Sequence, residues 1–293
     1  KTVYFKKNML QLKVTKITIK WGVEEMLIND YHIHSEFSGD SNEKLDKIVK
    51  KALELGMEDI AITDHLEYDI IGMTDRWKLK LDKYAKTILE YKEKYKDKID
   101  IKLGVEIGIQ PHTREYLEKE VEKYPFDFII ASTHALDRHD IAMGELQKHR
   151  NKDQLQKYYF ETVLKNVQDY NNFSVYGHID FITRYGGGQY RGLNYKENLD
   201  VIDEILKTLI SKNKGLEINT SGYRYQENRF YPCTDLLKRY FELGGEIITI
   251  GSDSHVSEYI GKDFDIAYDF LKSIGVKYIC SFDKLNPVFK TIK

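Results

Sequence analysis

Cysteine is scarce in this sequence, since Cys233 and Cys280 are the only two among 293 residues. Two cysteines are too few for a disulfide framework or a thiolate zinc site, and they suit a reducing cytoplasm. No stretch of about twenty apolar residues is present, so we expect no membrane-spanning helix. Proline- or glycine-rich linkers are missing too, which indicates a chain that is not divided into separate domains.

An excess of charge of either sign is also missing. The chain holds 45 lysines and arginines against 47 aspartates and glutamates, which gives a net charge of −2. This balance gives no support for a protein that binds nucleic acid through bulk positive charge. Hydrophobic residues make up 41% of the chain, enough for a sizeable core. The composition does not predict an oligomeric state.

Short apolar runs alternate with longer segments of helical period from Asn29 onwards. Segments such as 42–56 place apolar residues at helical spacing and end in glycine. Repeated strand–helix units predict parallel strands, and seven or eight of them predict a closed or distorted α/β barrel. The candidate strands are residues 30–34, 58–65, 99–109, 126–136, 173–180, 215–220, 246–253 and 276–282.

The residues before the first strand carry no recognisable chemistry. We interpret residues 1–28 as an N-terminal extension and residues 29–293 as a single catalytic barrel domain. The extension lacks the apolar core of a secretory signal, so we expect a cytoplasmic protein. Met26 lies just ahead of the first strand, and we predict that residues 1–25 are dispensable for activity.

Histidines and acids gather at the ends of the predicted strands. Six of the nine histidines lie at such ends, which a scatter of solvated histidines would not do. In barrels of this type, the carboxyl ends of the strands carry the functional residues. Because side chains alternate along a strand, His32 and His34 point the same way. The residues at strand ends or within a strand are His32, His34, Asp64, His65, Glu106, His134, His178, Asp180, Asp253 and His255.

These residue types indicate a metal site. Imidazole and carboxylate are ligands that zinc, manganese and iron accept, and no thiolate is among them. Nine groups exceed what one ion can use, and at roughly four to six ligands per ion they suit two or three divalent metals. The nine candidate ligands are His32, His34, Asp40, His65, Glu106, His134, His178, Asp253 and His255.

Several candidates have a structural alternative. Asp40 precedes a helix and could be a plain N-cap, unless Ser41 takes that place. Glu106 lies inside an apolar strand, where an unpaired carboxylate is costly, so it needs a metal or a structural ion pair. His178 alone could be a buried histidine with satisfied hydrogen bonds.

Other polar residues near the strand ends have less specific interpretations. Asp64 and Asp180 neighbour likely ligands in sequence and could orient their imidazoles. His112, His139 and His149 lie in predicted helices or loops, and we interpret them as surface groups. Among these three, His139 is the one that could face the site.

The ordered motifs resemble one known family. "DYHIH" with an acid six residues later, then "ITDH", "GVE", "STH", "GHID" and "SDSH", are similar to the PHP (polymerase and histidinol phosphatase) metallo-phosphoesterases over about residues 29–285. Each piece is weak, but the ordered set is specific. The resemblance implies the PHP fold, a distorted (β/α)7 TIM-like barrel with up to three metals at its mouth.

The same resemblance implies a division of the ligands. It assigns His32, His34, Glu106 and Asp253 to one metal, His134 and His178 with bridging Glu106 to a second, and Asp40, His65 and His255 to a third. Every one of these positions holds a competent ligand. Metals at such a site would lower the pKa of bound water, and a metal-bound hydroxide, held through Glu106, His32, His34 and Asp253, would attack phosphorus in line, so no side-chain nucleophile is needed.

Two segments narrow the resemblance within the family. "EINTSGYRY" (217–225) and "GHIDFITRYG" (177–186) look most like PHP-type histidinol-phosphate phosphatases. This implies hydrolysis of L-histidinol phosphate to L-histidinol and phosphate, a step of histidine biosynthesis. Arg184 and Arg224 follow the fifth and sixth strands and could bind the phosphate, because guanidinium forks match phosphate oxygens. The alternative is that both are surface arginines.

Two other functions remain open at this point. One is a PHP phosphoesterase that acts on nucleotides or oligonucleotide ends, which would share the metals and differ only in the substrate pocket. The near-neutral charge and the two loop arginines favour a small phosphate ester instead. The other is a non-catalytic scaffold, which would have lost ligands, whereas none is lost here. The sequence contains no P-loop and no cysteine-centred phosphatase loop.

Overall fold

Apolar strands alternate with amphipathic helices along the chain. The computed structural model describes residues 29–185, 187–225 and 227–292, so the interpretation of residues 1–28 lies outside the described residues. The main strands are β1 (Asn29–Ile33), β2 (Asp59–Ile62), β3 (Asp100–Gly108), β4 (Phe128–Ser132), β5 (Val175–Tyr176), β6 (Gly215–Asn219) and β7 (Ile248–Gly251), followed by β8 (Tyr278–Asp283) and β9 (Asn286–Thr291). The α-helices are α1 (Leu45–Glu54), α2 (Leu81–Tyr95), α3 (Arg114–Val121), α4 (Lys152–Asp169), α5 (Leu199–Ser211), α6 (Thr234–Glu242) and α7 (Phe264–Ser273).

Shorter elements lie in the loops. The two-residue strand His65–Leu66 pairs with β3, and Ala135–Leu136 pairs with His139–Asp140 in a small antiparallel hairpin. The 3-10 helices are Asp75–Trp77, Ile141–Met143, Leu146–Lys148, Phe181–Thr183, Lys196–Asn198, Thr220–Tyr223 and Ser257–Tyr259. No helix among the described residues is both long enough and apolar enough to cross a membrane.

Strands β1 to β7 form a nearly closed barrel. Neighbouring strands pair in parallel and in chain order from β1 to β7. A parallel bridge between Ile33 and Ser254 links β1 to the chain just past β7, and the His34 N–H donates to the Ser254 carbonyl at 2.8 Å. The expected distorted (β/α)7 barrel is therefore confirmed.

The helices cover the outer face of the barrel with apolar stripes. In α1, the buried residues are Leu45, Ile48, Val49 and Ala52. Their i, i+3, i+4, i+7 spacing puts all four on one face, which is the pattern read from the sequence. Strands β1 and β4, for example, are buried along their whole length, because helices cover one face and the barrel interior lies on the other.

The eighth predicted strand, 276–282, does not join the barrel. It forms β8, which pairs antiparallel with β9. Lys284 and Leu285 connect the two strands with φ values of 48° and 65°, as in a two-residue hairpin turn. The apolar run after α7 has the same pattern as a barrel strand, which is why the strand–helix alternation alone indicated seven or eight units; seven of them form the barrel.

Strand β8 closes the amino end of the barrel. Its Cys280 and Phe282 side chains join an apolar cluster with Tyr31, Phe128 and Ile130. Ile130 pairs in register with Glu106 of β3, so both side chains lie on the interior face. The Phe282 N–H donates to the Tyr31 hydroxyl at 3.0 Å. The lower interior is thus apolar and sealed, whereas the upper interior is polar.

We predict that Phe282→Ala destabilises the protein by about 3–5 kcal/mol, the usual loss when a buried aromatic side chain leaves a cavity. Phe282 is 2% exposed. The matched control is Phe289→Ala on the partner strand, where the ring is 47% exposed and the expected loss is below about 0.5 kcal/mol. Urea unfolding measures both variants, and equal losses would show that β8 does not fill the barrel.

Candidate metal centre at the barrel mouth

All nine predicted ligands lie together at the carboxyl end of the barrel. Four groups of side chains bring possible ligand atoms within 4.8 Å of one another: His34, Asp40, His65 and His255; His32, Glu106 and His178; His32, His34 and Asp253; and His65, Glu67 and His134. These groups include every predicted ligand and add Glu67. The assignment of ligands to particular ions remains a prediction.

Glu106 occupies the centre of this cluster. Its Oε1 atom lies 2.8 Å from His178 Nε2 and 3.2 Å from His134 Nε2. Its Oε2 atom lies 2.9 Å from His65 Nδ1 and 3.3 Å from His32 Nε2. Among the residues described, no lysine or arginine pairs with this fully buried carboxylate. A structural ion pair with lysine or arginine is therefore ruled out for Glu106, and its charged partners are histidines.

Asp40 faces the outer edge of the cluster. Its Oδ2 atom lies 2.9 Å from His255 Nε2 and 3.5 Å from His65 Nε2. Helix α1 has Lys44 at its N-cap position, without a side-chain cap. The Ser41 hydroxyl instead donates to the His255 carbonyl at 2.9 Å. The N-cap alternatives for Asp40 and Ser41 were therefore wrong, because the helix starts later than the sequence indicated.

Asp253 completes the inner edge. Its Oδ1 atom lies 3.4 Å from His34 Nε2 and 3.8 Å from His32 Nε2. The backbone of Asp253 has a φ of 52°, in the left-handed region that aspartate tolerates better than most residues. This conformation follows directly after β7, where such strain is common at functional sites.

The donor set fits divalent cations. His32 Nε2, His34 Nε2, His65 Nδ1 and Glu106 Oε2 are buried and have no hydrogen-bond partner within the described chain. Buried polar atoms are normally satisfied, so four unsatisfied atoms in one cluster point to a ligand that accepts their lone pairs. Nitrogen and oxygen donors without thiolates are compatible with zinc, manganese or iron.

The electrostatics of the cluster favour positive charge. Burial opposes protonation of His32, but the carboxylates of Glu217 and Glu106 outweigh it and raise the pKa of His32 well above its usual value. Burial and the neighbouring His255 and His65 lower the pKa of His34 to about 3. Ligation requires neutral imidazoles, so cations and protons compete for the same carboxylate-rich cluster.

Two carboxylates that orient ligands escaped the sequence analysis. Glu217 Oε1 lies 2.5 Å from His32 Nδ1, and Glu217 Oε2 accepts the His178 backbone N–H at 2.9 Å. Glu67 Oε1 lies 2.5 Å from His134 Nδ1. A carboxylate on the far ring nitrogen fixes the tautomer and orientation of a ligating histidine. Glu217 and Glu67 are thus placed to hold His32 and His134 in position.

Glycines provide the space for these two carboxylates. A Cβ atom on Gly251 would lie 2.3 Å from Glu217 Oε1, and one on Gly108 would lie 1.8 Å from Glu67 Oε2. A signal for both acids was present in the sequence. Glu217 lies inside the apolar run "GLEIN", as Glu106 does in "LGVEIG", and Glu67 follows His65 by two residues.

Asp64 and Asp180 bond to the loops beside the ligands, and their role in orienting imidazoles stays a prediction. Asp64 accepts the backbone N–H and the hydroxyl of Ser35, both at 2.6 Å. Asp180 accepts Arg229 Nη1 at 2.7 Å and the Cys233 N–H at 3.1 Å. Both acids therefore fix the loops beside the ligands and do not contact a ring directly.

The remaining histidines lie away from the cluster. His112 pairs with Asp69 at 2.9 Å and is largely solvent-exposed. His139 and His149 line a separate surface depression next to Arg150. None of these three residues belongs to the metal cluster.

A cavity of about 630 Å³ opens above the cluster. Arg184 lines this cavity, and its Nη2 atom donates to Ser221 Oγ at 2.7 Å and lies 3.4 Å from Asp253 Oδ2. The guanidinium carbon of Arg184 lies 4.6 Å from the ring centroid of Tyr231 and 4.9 Å from that of Tyr225. Arg184 is thus a buried, fixed cation and not a surface arginine.

Arg224 is placed differently. It is not among the residues that line the cavity. Its Nη2 atom donates to the carbonyls of Ser252 at 2.6 Å and Asp253 at 3.0 Å. Its Nη1 atom is buried without a hydrogen-bond partner in the described structure. The observed contacts hold the backbone that carries Asp253, and phosphate binding by Arg224 remains a prediction.

The fold and the cluster define a (β/α)7 barrel whose mouth is built to hold divalent metals. The PHP domain family matches residues 30–221. The chain belongs to this family, as its ordered motifs indicated.

Named relatives are similar over most of the chain. The histidinol-phosphatase of Lactococcus lactis subsp. lactis (strain IL1403) is 35% identical over 90% of this chain and 98% of its own. The probable histidinol-phosphatase of Thermotoga maritima is 30% identical over 85% of this chain and 94% of its own. The crystal structure of the Lactococcus lactis histidinol phosphate phosphatase, with zinc, L-histidinol and phosphate, has a TM-score of 0.80, is 33% identical, and covers 89% of this chain and 98% of that chain.

We predict that Glu217→Gln weakens metal binding by about 10- to 100-fold, as is typical when the partner of a ligating histidine is changed. Glutamine keeps an oxygen near His32 Nδ1 but removes the charge that makes the ring a better ligand. Competition with a chelator measures the affinity, and circular dichroism checks the fold. The control is Glu246→Gln, on the exposed surface, and an equal affinity for both variants would contradict the orienting role.

Proposed function

We propose that this protein is a metal-dependent phosphomonoesterase that hydrolyses L-histidinol phosphate to L-histidinol and phosphate. The observation that carries the proposal is the convergence of all nine candidate ligands beneath a cavity that also contains Arg184. The whole-length similarity to histidinol-phosphatases supports the choice of substrate.

His32, His34, Asp40, His65, Glu106, His134, His178, Asp253 and His255 would hold two or three divalent ions, with zinc, manganese and iron as candidates. When bound, such ions neutralise a phosphate dianion, lower the pKa of coordinated water and stabilise the leaving oxygen. The zinc in the Lactococcus lactis structure supports this choice of ligand class. For this protein, we propose two or three metal ions and zinc, manganese or iron as their identity.

Arg184 would bind and orient the phosphate. Its guanidinium is held between aromatic rings and by Ser221, so little freedom is lost when it receives an anion. Among the described residues, Arg184 is the only lysine or arginine that lines the cavity. A fork of N–H donors beside the metal ligand Asp253 would contact phosphate oxygens while the metals contact others.

The cavity suits a small substrate. Its walls contain Ile70, Met73, Trp77 and Phe181, which would exclude water from an organic leaving group. A nucleic-acid substrate would need a basic track for its backbone, and Arg184, the one lysine or arginine among the described wall residues, does not provide one. The alternative of a phosphoesterase for nucleotides or oligonucleotide ends is therefore not favoured.

We also propose a cytoplasmic location, because the free thiols of Cys233 and Cys280 are consistent with a reducing compartment.

A phosphate-release screen tests the substrate directly. The metal-loaded protein should hydrolyse L-histidinol phosphate with a kcat/KM at least about 100-fold above that for nucleoside monophosphates and p-nitrophenyl phosphate. Chelation should abolish release, and addition of zinc or manganese should restore it, because the proposed reaction uses water activated by the metals and no side-chain nucleophile. Faster release from nucleotides would reverse the choice of substrate.

We expect Arg184→Ala to lower kcat/KM for L-histidinol phosphate. The loss of transition-state stabilisation calculated from the ratio of kcat/KM values should be about 2–5 kcal/mol, as when one partner of a buried charge pair is removed. Metal content should be unchanged, because a guanidinium does not ligate cations. Arg191→Ala, with a largely exposed side chain, is the control and should match the parent.

Arg224→Ala distinguishes phosphate binding by Arg224 from support of the Asp253 backbone. Lower kcat/KM at full metal loading indicates phosphate binding, whereas lost metal indicates support of the Asp253 backbone.

A further inference from the structure

One carboxylate in the cavity has no cationic partner. Four acids line the cavity: Asp40, Glu67, Asp140 and Asp253. Asp40 is paired with His65 and His255, and Glu67 is paired with His134. Asp253 is paired with Arg184 and with several of the ligand histidines. Within the described chain, Asp140 forms no ion pair with a lysine, arginine or histidine, and its one hydrogen bond runs from the Ala142 N–H to Oδ1 at 2.8 Å.

Asp140 is held next to the metal ligands. It pairs with Ala135 in the small hairpin that follows β4, and Ala135 directly follows His134. The Ile141 N–H donates to the His134 carbonyl at 2.9 Å. The Asp140 carboxylate therefore lines the cavity beside the floor on which the phosphate would sit, on a short, hydrogen-bonded element.

We propose that Asp140 binds the protonated amine of the substrate. This inference rests on the proposed function, because L-histidinol phosphate carries an anionic phosphate and a primary amine that is protonated at neutral pH. The metals and Arg184 complement the anion, and among the described acids of the cavity Asp140 is the one without an ion-pair partner, which leaves its Oδ2 atom to complement the cation. An ester without a cationic group would leave this half-buried charge unpaired.

The surroundings of Asp140 strengthen such a contact. Asp140 is itself partly buried, and Ile70 and Met73 also line the cavity, which reduces the local dielectric constant. Burial raises the pKa of the Asp140 carboxyl, and the Ala142 N–H partly opposes that rise. An ammonium group at Oδ2 supplies the positive charge that favours the ionised form. The pair is thus worth more than an exposed surface ion pair.

Asp140 also has a structural role, which the test must separate. It is the N-cap of the 3-10 helix Ile141–Met143. Asparagine caps equally well, since its side-chain oxygen accepts the same N–H. Asp140→Asn therefore keeps the cap and removes only the negative charge. Unfolding by urea should show the same midpoint for this variant and the parent protein.

The experiment compares two substrates on the metal-loaded protein. One is L-histidinol phosphate, and the other is 3-(imidazol-4-yl)propyl phosphate, which lacks the amine. Asp140→Asn should lower the preference for the amine-bearing ester, as a ratio of kcat/KM values, by at least about tenfold, mainly through KM. L-Histidinol should also inhibit this variant more weakly than the parent, whereas inhibition by inorganic phosphate should be the same.

The control is Asp137→Asn, an exposed acid three residues away that does not line the cavity. It makes the same change of charge and should keep the parent ratio. An unchanged ratio in Asp140→Asn overturns the inference, as does an equal loss on both esters, which would assign Asp140 to the reaction itself. If the parent protein does not prefer L-histidinol phosphate to nucleotides, the proposed function itself is wrong. This result comes from the parent protein alone and is therefore distinct from a failure of the Asp140 inference, which only the variants reveal.

Discussion

A carboxylate buried inside the barrel is the constraint on which the site depends. Glu106 is fully buried on β3, and a charge in that position is unfavourable by several kcal/mol unless it is compensated. The compensation comes from His32, His65, His134 and His178, which approach its two oxygens from four other parts of the chain. The nearly closed ring of parallel strands brings these chain segments to one point, so the cluster depends on the barrel.

The barrel interior divides into two halves with opposite chemistry. Towards the amino end, Phe128, Ile130 and Phe282 form an apolar cluster that the β8–β9 hairpin seals. Towards the carboxyl end, Glu106 and Glu217 lie on the same interior face. The apolar half provides stability, and it also keeps water from the polar half, where a low dielectric constant strengthens each charged contact.

The cavity above the cluster separates its charges in space. Arg184 and the predicted metals favour an anion, whereas Asp140 favours a cation beside it. A phosphate ester that also carries an amine matches this arrangement better than a simple anion does. The proposed specificity therefore comes from one unpaired acid on a loop, while the chemistry comes from the strand ends. This division agrees with the way barrels vary function through their loops.

The sequence by itself determined the barrel and the composition of the metal cluster. Strand–helix alternation predicted seven or eight units, and the family resemblance implied seven. The positions of His32, His134 and Asp253 at strand ends predicted where ligands meet, because parallel strands present their carboxyl ends at one mouth. Glu217 carried the same signal as Glu106 in an apolar run and was overlooked.

Only the tertiary structure decided which acids face which partners. Asp64 and Asp180 bind loop groups, whereas Glu67 and Glu217 reach the imidazoles, because glycines in neighbouring strands leave them room. The apolar run of β8 pairs with β9 and not with the barrel, since a two-residue turn folds it back. Such pairings depend on residues that are distant in sequence, so local sequence patterns do not predict them.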